Sequence, residues 1–128
     1  MKVYVASPWL HKRSAQLFAE ELEREGFEIT RKWWDYECGD EEVEMLREQA
    51  IQDIRAVEIS DAVIVLQLDK SEGKAVETGV AIILGIPVIA VVYTEVGNIF
   101  HYHPGVQIVR NHTEAFGALG ALRAFDDA

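Results

Sequence analysis

Four runs of the chain are apolar almost throughout: Val3–Ala6, Ala62–Leu68, Ile86–Tyr93 and Val106–Val109. They have the length of strands, and unbroken apolar runs are expected where helices cover both faces of a sheet. A fifth run, Phe27–Arg31, is less apolar and reads as a strand nearer an edge. Elsewhere apolar positions recur at helical spacing. Ser14–Glu25 puts Ala15, Phe18, Ala19 and Leu22 on one face, and Gly26 is a natural helix stop. Glu41–Ser60 is predicted as a helix capped by Asp40, with Val43, Leu46, Ala50, Ile54 and Val57 as its apolar face. Lys74–Leu84 is the third helix, with Val76, Val80, Ile83 and Leu84 facing inward and Gly85 closing it. Thr113–Ala124 is the fourth. Lys32–Gly39, rich in aromatics, and Thr94–Pro104 read as loops.

Strands alternating with helices imply right-handed crossovers and a five-stranded, mostly parallel sheet between helical layers, an α/β class. In such folds a ligand sits outside the carboxyl ends of the strands, where strand order reverses. Those ends are Ser7–Leu10, Lys32–Tyr36, Asp69–Gly73 and Tyr93–Gly97.

Length and charge narrow the function. The chain has 128 residues, 49% of them hydrophobic, enough for one core, and residues 1–128 are read as a single domain. Twenty-two acidic against twelve basic residues give a net charge of -10. Such a surface repels phosphate polymers, which argues against a nucleic-acid partner. Small anions remain possible ligands, held locally by backbone N–H groups. Cys38 is the one cysteine, so no internal disulfide forms, and a free thiol fits a reducing compartment. No signal-peptide core precedes the first strand. The longest apolar stretch, Ile82–Tyr93, is interrupted by Gly85 and Pro87 and is too short for a bilayer. A soluble cytoplasmic protein without a membrane partner is expected.

Two acids then stand out. Glu77 follows Gly73 by four residues and precedes Gly79 by two. Glycine inside a helix costs about 1 kcal/mol relative to alanine, so glycines on either side of one acid suggest that space is needed there. The helix start should favour the ionised form of Glu77; the plainer reading is a glutamate that merely complements the dipole. Asp53 lies about 60° from the centre of its helix's apolar stripe. It reads either as a boundary acid paired with an Arg or Lys, or as a partly desolvated carboxyl able to carry a proton. An anionic Glu77 that attacks and an Asp53 that handles a proton suit displacement at a sugar carbon through a glycosyl-enzyme intermediate.

Other positions carry paired readings. Tyr4, the polar side chain of the first strand, is a core tyrosine or the group that orients Glu77. Ser7, Ser71 and Gly73 cap loops or hold a phosphate or sugar hydroxyl. Asp61 is expected to pin a strand start. Trp9, Trp33, Trp34 and Tyr36 stack on a flat base or pack a loop onto the body. His101-Tyr102-His103 lacks the spacing of a helical metal pair, and no acid or cysteine lies close by, so no metal is assigned. Neither a G-x-G-x-x-G nor a P-loop pattern is present, and no cofactor is expected.

Tyr4 in Val3-Tyr4-Val5-Ala6-Ser7-Pro8, Asp53 eight residues before Asp61, and Gly73-x-x-x-Glu77-x-Gly79-x-Ala81 resemble the nucleoside 2-deoxyribosyltransferases. They also resemble the related 2′-deoxynucleoside 5′-monophosphate N-glycosidases. The similarity runs from residue 2 to about residue 93. It implies a flavodoxin-like three-layer sandwich. It implies Glu77 as nucleophile on C1′ of a deoxyribose, Asp53 as the second catalytic carboxylate and Tyr4 as the residue that positions Glu77. Ser71 and Gly73 match positions that hold a 5′-phosphate in the monophosphate branch, and Ser7 and Trp9 fall in the first loop of the site. That branch carries an arginine in this loop, where Ser7-Pro8-Trp9-Leu10 has none and Arg13 comes later. The family completes its site from a neighbouring subunit; the matching region here, Gly97-Asn98-Ile99-Phe100-His101, departs from the usual pattern, with His101 as the candidate substrate contact. The resemblance thus implies transfer of deoxyribose from a nucleoside to a free base, or hydrolysis of a nucleotide, by a homodimer or higher homo-oligomer. A nucleotide-binding module without turnover is the rival from another class.

Overall fold

The computed structural model describes residues 1–36, 42–93 and 98–127. The Val- and Ile-rich runs form the strands β1 (Lys2–Ala6), β3 (Ala62–Gln67), β4 (Val88–Val92) and β5 (Val106–Val109), joined by the two-residue β2 (Glu28–Ile29). All pairings are parallel, in the order β2-β1-β3-β4-β5, with Val3 opposite Ala62, Tyr4 opposite Val63 and Val63 opposite Val88. This is the doubly wound, flavodoxin-like arrangement, with its switch point between β1 and β3. The expected second strand, Phe27–Arg31, shrinks to two residues, and Trp33–Asp35 beyond it coils into a short 3₁₀ turn.

Four helices complete the fold: α1 (Lys12–Arg24), α2 (Val43–Glu58), α3 (Glu72–Leu84) and α4 (His112–Asp127). Right-handed crossovers place α1 and α4 on one face and α2 and α3 on the other. Phe18 of α1 accordingly stacks on Phe116 of α4 at 5.2 Å, and α2 packs on α3. Gly85 ends α3 at φ 72°, a left-handed cap that glycine adopts without strain. The expected cap Asp40 and the thiol of Cys38 lie outside the described residues. Lys2 N donates to Asp61 Oδ2 at 2.7 Å, so Asp61 does pin β3 to β1.

The core holds Val3–Ala6, Ala62–Leu66 and Val88–Val92, with Ala15, Phe18, Ala19 and Leu22 of α1 buried as expected. The inward faces expected of α2 and α3 are corrected. On α2, Ala56 and Val57 are buried, whereas Val43 is 59% exposed and Leu46 40%. Sixteen residues of helix span ~24 Å, against ~17 Å for a five-residue strand, so the first turns overhang the carboxyl edge of the sheet. On α3 the buried residues are Lys74, Thr78 and Ala81, while Val76, Ile83 and Leu84 are exposed. Small side chains let α3 approach the sheet, and its large aliphatics project outward.

Candidate active site

Side chains alternate along a strand, so Tyr4 and Ala6 point to one face of the sheet and Val3 and Val5 to the other. Tyr4 points into the α2–α3 layer. Fully buried, it donates its hydroxyl proton to Glu77 Oε2 of α3 in a short hydrogen bond that joins residues 73 apart in sequence. Tyr4 is therefore a core side chain whose hydroxyl is satisfied by Glu77. Burial, then the nearby negative charges of Glu77 and Asp53, push its ionisation up, so it stays a neutral donor.

Glu77 is the sixth residue of α3, counted from Glu72. The field of a helix terminus fades beyond the first turn, so the expected stabilisation of its anion does not govern. Burial does: it pushes the carboxyl from 4.5 to about 8, opposed by the Tyr4 hydrogen bond, reinforced by the Asp53 charge and relieved by Arg31. Glu77 is thus a protonated acid at neutral pH in the free protein, not the standing anion expected from sequence. The space argument from its glycines also changes. A Cβ on Gly79 would meet nothing within 4 Å, and one on Gly73 would only touch Ser71 Oγ at 3.9 Å.

Asp53, on α2, comes close enough for its charge to act on both Tyr4 and Glu77. Its carboxylate Oδ1 accepts from Arg31 Nε at 2.6 Å. Asp53 is thus paired with a cation as one reading expects, and burial raises its pKa against the pull of Arg31. Arg31 also donates through Nη2 to Gln49 Oε1, one turn before Asp53 on the same helix face. Sequence reasoning missed Arg31 and Gln49. The available signal was a cation at the last position of the expected strand Phe27–Arg31, together with an amide and an acid spaced four apart on the next helix.

The remaining candidates separate from this cluster. Ser71 caps α3, its Oγ accepting from Lys74 N at 3.3 Å, and Ser7 Oγ donates to Pro8 O at 3.1 Å, so both make the loop-capping contacts. Gly73 sits exposed in the first turn of α3. Trp33 and Trp34 are buried and pack the loop, with Trp33 Nε1 donating to Val5 O at 2.8 Å. Trp9 is 55% exposed, tilted against Trp33 at 5.8 Å. It is the indole left open at the carboxyl edge of β1.

His101 is placed elsewhere. It lies in the 3₁₀ turn Ile99–Tyr102 and lines a cavity of about 630 Å³ with Gln67, Ser71, Lys74, Ile82 and Phe100. Glu77 does not line it: Ile82, five residues on, points ~140° away round α3. His101 is 2% exposed, and its Nδ1 has no hydrogen-bond partner among the described residues. Burial and the charge of Lys74 hold its pKa down. His103 Nδ1 instead accepts from Gly105 N at 2.9 Å. Among the described residues no group of three metal-ligating side chains gathers, and no helix is long and apolar enough to cross a membrane.

The fold has solved counterparts. A CMP N-glycosidase from Clostridium botulinum superposes with a TM-score of 0.64 at 19% identity, over 94% of this chain and 99% of its own. A 2-deoxyribosyltransferase from Bacillus psychrosaccharolyticus gives 0.69 at 20% identity, over 90% of each chain. A conserved protein from Enterococcus faecalis gives 0.64 at 20%, over 91% and 95%. At this level of identity the likeness is one of fold. No protein-family model and no curated protein matches the sequence.

Proposed function

We propose that the protein cleaves the N-glycosidic bond of 2′-deoxynucleosides or their 5′-monophosphates through a covalent intermediate on Glu77. The observation that carries this is the Tyr4–Glu77 hydrogen bond, made inside a half-buried cluster that Asp53 completes. A strand and two helices converge there on one nucleophile, its orienting donor and a second carboxyl. Both activities named for the solved counterparts, glycosidic hydrolysis and deoxyribosyl transfer, agree with this chemistry.

In the first step Glu77 passes its proton to the Asp53 carboxylate as substrate binds, and the freed Glu77 oxygen attacks C1′ as the C1′–N bond breaks and its electron pair leaves with the base. Asp53 gives that base nitrogen a proton. In the second step a new base or water attacks C1′, yields a proton to Asp53 and expels the Glu77 carboxylate. Tyr4 steadies Glu77 in both, and the exposed indole of Trp9 stacks on the base. With the hydroxyls of Ser7 and Ser71 engaged in their own loops, Gly73 and the free backbone N–H groups at the start of α3 are left to hold a 5′-substituent. We assign the open aliphatic face of α3, with Val76, Ile83 and Leu84, to contact between copies in a homo-oligomer.

Incubation with deoxynucleosides and deoxynucleoside monophosphates, with and without a second free base, tests the reading. Base exchange supports transfer, and base release alone supports hydrolysis. Binding without turnover of either substrate would leave a nucleotide-binding module and overturn the enzymatic proposal.

A further inference from the structure

Arg31 has two nitrogens along one edge of its guanidinium in use. Nε donates to Asp53 Oδ1 at 2.6 Å, and Nη2 donates to Gln49 Oε1. Gln49 and Asp53 lie one turn apart on α2, so the planar group spans the helix face like a fork. A lysine, with one compact ammonium, cannot fill both positions in that plane. The pair is partly enclosed, with Arg31 20% and Asp53 31% exposed, which sets it apart from ion pairs in open solvent. The grip engages Oδ1 and leaves Oδ2 as the oxygen with which Asp53 can exchange a proton.

We propose that Arg31 is a positioning residue of the active site: its forked contact fixes the Asp53 carboxyl beside the Tyr4–Glu77 pair and stabilises the carboxylate left after Asp53 has given up its proton. This rests on the functional reading above and extends it to a residue that touches neither sugar nor base. The ionisable groups that act on one another here are Tyr4 from β1, Arg31 from the segment after β2, Asp53 from α2 and Glu77 from α3. Without the guanidinium, the buried Asp53 would lose the partner that favours its charged form. It would hold its proton to higher pH and turn freely about its side-chain bonds. Protonation of the leaving base would then suffer, while substrate contacts would not.

The test compares Arg31→Met and Arg31→Lys with Lys32→Met. Lys32 is the adjacent cation, and its Nζ pairs with Glu23 Oε2 of α1 at 3.2 Å, away from the cluster. The carboxyl titration of Asp53, followed by ¹³C NMR, should move up by about one pH unit or more in Arg31→Met. It should stay in place in Lys32→Met. On deoxynucleosides kcat should fall roughly 10- to 100-fold in Arg31→Met with KM within about threefold, as expected when proton delivery to the leaving group is impaired. Arg31→Lys should recover part of the titration but less of the rate, and it serves in place of Arg31→Met if that variant does not fold. A 2-deoxyriboside with a nitrophenol leaving group, which departs without a proton, should be cleaved by both Arg31 variants within about threefold of wild type. An unmoved Asp53 titration, or the same loss of rate on both kinds of leaving group, would reduce Arg31 to a tether for α2 and overturn the proposal. If the wild type turned over no deoxynucleoside, the functional reading would fall, and the titration would still decide what Arg31 does to Asp53.

Discussion

Replacing Glu77 with Gln removes one ionisation from the interior while keeping size and an oxygen for the Tyr4 hydroxyl. In the folded protein Glu77 holds its proton up to about pH 8, whereas in the unfolded chain it loses it near 4.5. Between those limits the native state binds the extra proton, so stability is full below the lower value and falls as pH rises through the upper one. The slope is at most ~1.36 kcal/mol per pH unit. From pH 6 to pH 8 that amounts to about 2 kcal/mol once partial access of water is allowed for, or roughly 6–10 °C in Tm for a chain this size. Asp53 shifts in the same direction but is present in both proteins, so its contribution largely cancels in the difference. Thermal melts of wild type and Glu77→Gln across this range should therefore diverge, with the wild type losing ground as pH increases. Parallel curves would show that Glu77 is already ionised in the native state, and the burial argument would fail.

The remaining predictions concern the same cluster and its support. Because the reaction needs one proton between Glu77 and Asp53, kcat/KM for a deoxynucleoside should fall as pH rises along a limb centred near 8, read from a pH–rate profile of the free enzyme. Tyr4→Phe removes a hydrogen bond that lowers the Glu77 pKa, so the limb should move to higher pH and kcat should drop at least about 10-fold. Melting should show the fold retained. Trp33→Phe deletes the donor to Val5 O and leaves a buried carbonyl unpaired, which should cost about 1–3 kcal/mol in a denaturant titration.

The sheet was legible because its central strands are apolar on both faces, a pattern few other structures produce. Edge strand β2 was overextended, since Phe27–Arg31 carries strand-like residues but only Glu28 and Ile29 pair with β1. Helix faces were misjudged for a common reason. α3 carries its large aliphatics on the solvent side, so periodicity selects Val76, Ile83 and Leu84, whereas the sheet accepts Thr78 and Ala81 and the stem of Lys74. Lys74 is buried because its Nζ finds Gln67 Oε1 and, at 2.6 Å, Asp69 O, partners contributed by the end of β3 and the loop after it. The meeting of Tyr4, Asp53 and Glu77 could be expected from their places on β1, α2 and α3. Their proton affinities could not, because desolvation depends on how deeply α3 seats Glu77 against β1. Arg31 was hidden for a similar reason: its contacts with Gln49 and Asp53 join residues 18 and 22 apart in sequence, which no local pattern announces.

A 2-fluoro-2-deoxynucleoside slows breakdown of a glycosyl-enzyme more than its formation, so it can hold the intermediate long enough to be mapped. Incubation followed by peptide mass analysis should place the added sugar on Glu77, and Glu77→Ala should take up none. A sugar found on another residue, or turnover of the natural deoxynucleoside by Glu77→Ala at the wild-type rate, would contradict the assignment of the nucleophile.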